Sequence, residues 1–301
     1  VKMLNKLGDS VHLPNHHRVL LGNSLRAPYI ITVHDLIRYF DLDGEETFIR
    51  PPNHRDRHYL NLDYKGIRKA MGIIAVSQST KNDLLHHLSI PDERISVVYE
   101  GIDHSLFRPV SHRIYNYPYI LFVGTEHPRK NFTTLLKAFS QLKSEPGFNE
   151  LKLVKVGSAG GQEADFRGKT METVKALELV NEVIFTDFIP EADLPVYYSG
   201  AEVFVLPTLY EGFGFPVLEA MACGCPVVTS NTSSLPEVTG EAGIMVDPHD
   251  TDSLAQAMGQ ILTDSELRDN MIRKGLEQSK RFSWEKTAEQ TLEVYNKLEN
   301  R

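Results

Sequence analysis

Short apolar runs alternate with helix-like stretches along almost the whole chain, and the loops between them are short. The runs lie at 28–33, 72–76 and 95–99, then at 119–123, 151–156, 183–186, 203–206, 226–229 and 244–246. Helical patterning fills the gaps. Ser77-Gln78-Ser79-Thr80 opens a helix that continues to Leu88, with several polar capping candidates. Asn131 caps another, in which Phe132, Leu135, Leu136 and Phe139 recur at helical spacing. Further helices are predicted within 162–179, over 191–199, from Pro216, along Leu254, Ala257, Met258, Ile261 and Leu262, and twice more before the end. Buried strands separated by helices pair in parallel, with helices on both faces of the sheet and right-handed crossovers. The predicted fold class is therefore α/β, with two doubly wound halves facing a cleft and ligands held at the carboxyl ends of the strands.

A stretch without periodicity, 103–117, separates the halves. The predicted domains are 1–110, 111–282 and a final helix, 283–301, that crosses back onto the first. The halves are unequal: about six strands follow the linker, but only three firm ones precede it, with His17–Leu21 as a partial fourth. The first half therefore reads as incomplete, and a chain that opens on Val rather than Met leaves open that it is a piece of a longer one. Two cysteines exclude a disulfide scaffold and fit a reducing compartment, so a cytoplasmic setting is expected. No apolar run reaches the ~20 residues of a membrane-spanning helix, and the first residues lack the apolar core of a secretion signal. A net charge of −8 argues against nucleic acid as a partner.

The most informative stretch runs from Leu206 to Gly224, LPTLYEGFGFPVLEAMACG. It reads as strand, glycine loop, helix. Pro216 suits a first helical position and Gly224 a left-handed stop. Gly212 and Gly214 let the backbone approach a ligand. Unbonded N–H groups and the helix dipole at such a start suit a diphosphate without a metal. Glu219, three residues after Pro216, is expected in the first turn, where a carboxylate is favoured and can accept from a ribose diol. Glu211 precedes the glycines, where it can bind sugar hydroxyls. A plain tight turn with an acidic helix start explains the same spacing. The second loop, Gly124-Thr125-Glu126-His127-Pro128-Arg129-Lys130-Asn131, also follows a strand. Arg129 and Lys130 sit there beside a helix start, where phosphate oxygens would gather. Two solvated basic residues are the plain alternative.

These motifs resemble one family. Glu211 and Glu219, eight apart around GFGFP and followed by EAMACG, look like the E-x7-E signature of retaining GT-B glycosyltransferases of the GT4 family, also called group 1. GTEHPRKN, SSLPE and the upstream YIITVHDLI look like the same family, so the similarity runs from about residue 29 onward. It implies a nucleotide-sugar donor held mainly by the second half and an acceptor held mainly by the first. Glu211 would bind the donor sugar, and Gly212, Phe213 and Gly214 would run along sugar and phosphate. Phe215, Pro216 and Val217 would line the phosphate–ribose path, with Glu219 on the ribose. Arg129 and Lys130 would neutralise the leaving diphosphate beside Gly124. Asp187, Phe188 and Ile189 match the segment that edges the base, and His34 would reach the donor sugar. Thr125 stands where many relatives carry Arg, with Arg129 as the compensating cation, and an opening glycine loop common in relatives is not visible. The expected reaction moves mannose or glucose from a GDP- or UDP-linked sugar to a glycan, lipid-linked or glycolipid acceptor, without a metal or other cofactor.

Weaker signals have plainer readings. Asp41-Leu42-Asp43 is a DxD, a metal motif in another glycosyltransferase fold, but no clean strand precedes it. His54 and His58 lack a third zinc ligand, and His16-His17 and His86-His87 read as surface pairs. Cys223 and Cys225 read as small packing residues. Residues 50–69 carry six basic side chains against Asp56 and Asp63. That reads either as a solvated face or as a surface for peripheral contact with anionic membrane. Two rivals to transfer are a non-catalytic nucleotide-sugar binder and a GT-B-fold epimerase or phosphorylase, which product analysis separates.

Overall fold

A computed structural model describes residues 11–16, 25, 27–44, 48–160 and 166–299. The run His17–Leu21 and the residue His17 lie outside them. The chain divides into two compact units. The first holds the described residues up to Gly101, the tripeptide Glu211–Phe213 and everything from Phe282 on; the second holds Ile102–Tyr210 and Gly214–Arg281.

In the first unit, strands β1 (Val11–Leu13), β2 (Tyr29–Val33), β3 (Gly72–Ala75) and β4 (Ile95–Val97) form a parallel sheet in chain order. The strand β1 has no counterpart in the sequence reading. Three residues centred on a histidine are too short to show a period, and only pairing with Tyr29–Ile31 makes them a strand. Helices α1 (Ile37–Asp43), α2 (His54–Lys69) and α3 (Gln78–Leu88) connect the strands. Asn53 and Asp56 form a reciprocal capping box at α2, and Ser77 accepts from Thr80 N at α3. Ile31, Val33, Ile73 and Ala75 point into one apolar cluster with Leu60, Ile67 and Leu84. The alternate residues Ile30 and Ile74 meet Val98, Val294 and Leu298. Strand residues thus alternate between two buried faces, as a sandwiched parallel sheet requires.

In the second unit, six parallel strands follow the order β10-β9-β8-β5-β6-β7. They are β5 (Tyr119–Val123), β6 (Lys152–Val156), β7 (Val183–Asp187), β8 (Val203–Leu206), β9 (Val227–Ser230) and β10 (Ile244–Val246). Helices α4 (Phe132–Lys143), α5 (Phe166–Ala176), α6 (Leu194–Gly200), α7 (Phe215–Ala222), α8 (Leu235–Thr239), α9 (Thr251–Thr263) and α10 (Ser265–Ser279) cover it. The order reverses between β5 and β8. The carboxyl ends of strands at such a reversal are the usual ligand position in open parallel sheets. Residues 102–110, read from the sequence as part of the first domain, belong to the second unit. Val110 N donates to Ser199 Oγ at 3.1 Å, and the Phe107 ring meets Tyr198 edge-on.

The last helix, α11 (Trp284–Glu299), lies in the first unit. Val294 and Leu298 are buried there, each contributing about 1.5–3 kcal/mol. Thr287 Oγ1 donates to Tyr99 O at 2.8 Å. The turn before the helix leaves no room at Gly101, where a Cβ would overlap the main chain of Ser283 and Trp284. Gly101→Ala is therefore expected to destabilise the fold by about 1–3 kcal/mol, the usual size for overpacking. By contrast, Gly259→Ala inside α9, where the nearest neighbour is Leu142 Cδ1 at 3.5 Å, should be neutral or stabilising. Melting temperatures of the two variants check this, and equal effects would contradict it.

Candidate active site

In the second unit, the loop after β5 is laced to the loop after β8. Leu209 N and Thr208 Oγ1 both donate to Arg129 O at 2.7 Å, and Arg129 Nη1 donates to Tyr210 O at 3.1 Å. Asn131 adopts a left-handed φ of 53° and makes no side-chain cap on α4, contrary to the sequence reading. Its amide instead donates to Pro207 O and Pro248 O, at 2.9 and 2.7 Å. The residue that looked like a cap is a tie between strand-end loops. Lys130, next to it, is buried at 6% exposure, so the solvated reading fails for this residue.

Helix α7 begins at Phe215 behind Gly214, whose φ is 109°. Pro216 is thus the second helical residue and Glu219 the fifth. The sequence reading placed Glu219 in the first turn; the helix starts one residue earlier, and the carboxylate lies in the second turn. The opposite end forms a Schellman stop, with Cys225 N bonded to Ala220 O and Gly224 N to Met221 O. Val217 is wholly buried and its N–H donates to Gly214 O, so neither side chain nor amide is offered to a ligand. Phe215 and Pro216 are partly exposed.

Tyr198 Oη donates to Glu219 Oε2 at 2.7 Å. Burial pushes the Glu219 carboxyl up to about 7, against the opposing pull of Tyr198 and Lys130. Asp187 and Phe188 are exposed at the end of β7, Ile189 is half-buried beside them, and Gly124 N is bonded to Val156 O. A feature the sequence reading missed lies here: Lys155, wholly buried, pairs with Glu126, which also binds Arg167. A lone lysine in the apolar run Leu153-Val154-Lys155-Val156 was the available signal.

In the first unit, His34 follows β2. Its Nδ1 meets Glu100 Oε1 at 2.7 Å and its Nε2 meets Pro14 O at 2.9 Å. Both partners can accept, an arrangement that favours the doubly protonated ring. The bond to Glu100 raises its pKa above 6.5, with burial opposing and Pro14 adding. That stabilisation is complete below 6.5 and lost as pH climbs through the raised value. His34 is therefore biased toward its positively charged form. Ser77 Oγ donates to Gly212 O at 2.8 Å, and a Cβ at Gly212 would overlap His34 O. Glu211 is buried, and the Phe213 ring packs against Tyr99 and Phe282. The Phe213 side chain thus packs into the core, which leaves its main chain to run along a ligand. Asp41 of the DxD accepts from Phe48 N at 2.6 Å and pairs with Arg38, so its carboxylate shapes a loop. Among the described residues, no group of three or more His, Cys, Asp or Glu could hold a metal ion, and no helix is long and apolar enough to cross a membrane.

Comparisons with known proteins agree with this architecture. The family model for group 1 glycosyl transferases matches residues 106–278, and that for glycosyltransferase family 4 matches 9–106. The chain is 33% identical over 256 residues to the O-antigen chain mannosyltransferase B of Escherichia coli, covering 82% of this chain and 66% of that protein. Among solved structures, sucrose-phosphate synthase from Thermosynechococcus elongatus superposes with a TM-score of 0.82 at 28% identity, covering 96% of this chain and 73% of the other. HepE of Anabaena, solved with UDP-glucose, has a TM-score of 0.82 at 20% identity, covering 98% and 81%. The chain belongs to the group 1 glycosyl transferases, with the α/β fold of GT-B structures. It spans between about a third and two thirds of the length of its curated relatives.

Glu219 carries the testable consequence of this geometry. A carboxyl whose folded pKa of about 7 exceeds its unfolded value of 4.5 burdens the fold as pH rises past 4.5, fully so above about 7. Glu219→Gln keeps an acceptor for Tyr198 and removes the charge. The variant is expected to melt higher than the parent at pH 8 and alike at pH 5. An equal shift at both pH values in thermal unfolding would refute the assignment.

Proposed function

We propose that this chain is a retaining hexosyltransferase, moving mannose or glucose from a nucleotide diphosphate sugar to a hydroxyl of a glycan, lipid-linked or glycolipid acceptor. The buried Lys130, held beside Arg129 at the end of β5, carries this reading. Breaking the glycosidic bond leaves negative charge on the diphosphate and positive charge on the sugar. Two fixed cations and the amino end of α7 stabilise the former where it develops. They supply the charge a divalent metal would otherwise bring. Glu219 accepts from the ribose, and Glu211 from the sugar hydroxyls. The acceptor attacks the face that the diphosphate leaves, and a leaving-group oxygen takes its proton. The name of the E. coli relative supports mannose, and that of the HepE complex supports a nucleotide-sugar donor. Lys130→Ala and Glu211→Gln are each expected to slow transfer at least about tenfold, or 1.4 kcal/mol. Transfer as fast as the parent's would sink the reading, and donor binding without transfer or hydrolysis would favour the non-catalytic binder.

The acceptor side has a basic face. Arg55, Arg57, Lys65, Arg68 and Lys69 are exposed along α2. We assign it to peripheral contact with anionic membrane, where each such charge gains about 1 kcal/mol. Flotation with vesicles should increase with anionic lipid and fall with salt; indifference to both contradicts the assignment.

A further inference from the structure

Lys155 is a buried cation with no part in the proposed transfer. It stands near the end of β6 in an otherwise apolar run, and its side chain is fully enclosed. An ammonium has three N–H donors and no acceptor. Here all three are used: Nζ donates to Gly157 O and Ser158 O, at 2.5 and 2.9 Å, and meets Glu126 Oε1 at 3.0 Å. The two carbonyls belong to the loop after β6, and Glu126 to the loop after β5. The Glu126 side chain is enclosed as fully, and its Oε1 also takes Arg167 from α5, at 2.8 Å from Nη2 and 2.9 Å from Nε. The same guanidinium reaches Asp187 Oδ1, at the end of β7, at 2.8 Å. A row of alternating charge spans the ends of three neighbouring strands. Stability is a poor reason for its inner pair. Enclosing two ions is so costly that a buried pair adds little over apolar side chains of the same volume.

What the pair does is hold main chain. The loops after β5 and β6 touch along their length. Gly124 N donates to Val156 O and Glu126 N to Ala159 O, both at 2.9 Å. A Cβ at Gly157 would lie 2.8 Å from Gly124 O, and one at Gly160 2.6 Å from His127 Nε2. Lys155 and Glu126 clamp this contact from inside. Lys130 stands four residues past Glu126. The single turn Pro128–Lys130 connects them, with Lys130 N donating to His127 O at 2.9 Å. The stem of Lys130 runs back beside Gly124, where a Cβ would lie 3.6 Å from its Cδ. The place of the Lys130 ammonium therefore depends on where Gly124 and Glu126 are fixed.

We infer that Lys155 and Glu126 are positioning residues, which lock the loop after β5 onto the loop after β6 and so set the place of the Lys130 ammonium against the donor's diphosphate. This rests on the transferase reading. Neither residue touches the donor; both act through Lys130. An ion pair suits the task because it is directional. Three N–H bonds fix two carbonyls and one carboxylate at once, whereas apolar contacts of the same volume would let the loops slide. A cation held this way meets a phosphate with little reordering.

Calorimetric titration of the full chain with GDP, UDP and pyrophosphate tests this. The informative variant is the double substitution Lys155→Met with Glu126→Gln. It removes both charges together, keeps an acceptor for Arg167 and is expected to melt close to the parent. It should bind whichever nucleotide the parent prefers at least about tenfold more weakly, as should Lys130→Ala alone. Added to Lys130→Ala, the double substitution should cost less than about twofold more, because the pair has then lost the group through which it acts. A pair that serves only the fold weakens binding by the same factor with or without Lys130. That result, or parental affinity in the double variant, overturns the positioning role and leaves the transferase reading standing. If the parent binds neither nucleotide nor pyrophosphate, the transferase reading fails and the positioning role falls with it.

Discussion

Parallel pairing sends every loop that follows a strand to the same edge of its sheet. In the second unit that edge gathers the loops after β5, β6, β7 and β8, and the strand order reverses between β5 and β8. The chemistry proposed for this protein depends on that edge being rigid. Rigidity comes from hydrogen bonds between loops rather than within them. The Asn131 amide holds the carbonyls of Pro207 and Pro248, and the Arg129 carbonyl takes Leu209 and Thr208. A cation on such a frame meets its ligand without first paying the entropy of being ordered.

Burial then sets what the charged groups can do. Lys130 is almost wholly enclosed, and burial raises the Glu219 carboxyl to about 7 while Tyr198 donates to it. The Lys155–Glu126 pair is enclosed with its charges matched, burial drawing the lysine down while Arg167 and Lys155 hold the glutamate below its ordinary range against its own burial. In the first unit Glu100 biases His34 toward its protonated form, next to a carbonyl that tolerates only glycine at position 212.

Much of this was legible in the sequence. The strand runs at 119–123 and 203–206, the stop at Gly224 and the helix opening at 77–80 are local events, written in residues that touch each other. The reading slipped where a residue's partner lies far along the chain. Asn131 looked like a cap because asparagine before a helix usually is one, but its amide bonds to residues 76 and 117 positions away. Glu219 looked like a first-turn acid because Pro216 marked the helix start, and a glycine at φ 109° let the helix begin at Phe215. Phe213 sits in a glycine motif, yet aromatic neighbours from two distant segments enclose it.

Periodicity, turn chemistry and motif spacing depend on neighbours within about one turn of helix or one strand. The amino-acid order by itself therefore settled the α/β class, the parallel strands and the family these motifs resemble. Which polar groups are buried, which nitrogen carries a proton and which carboxylate ends a row of charges depend on distances between residues scores of positions apart. Only the folded chain sets those distances, because desolvation and hydrogen bonding act through space and not along the backbone.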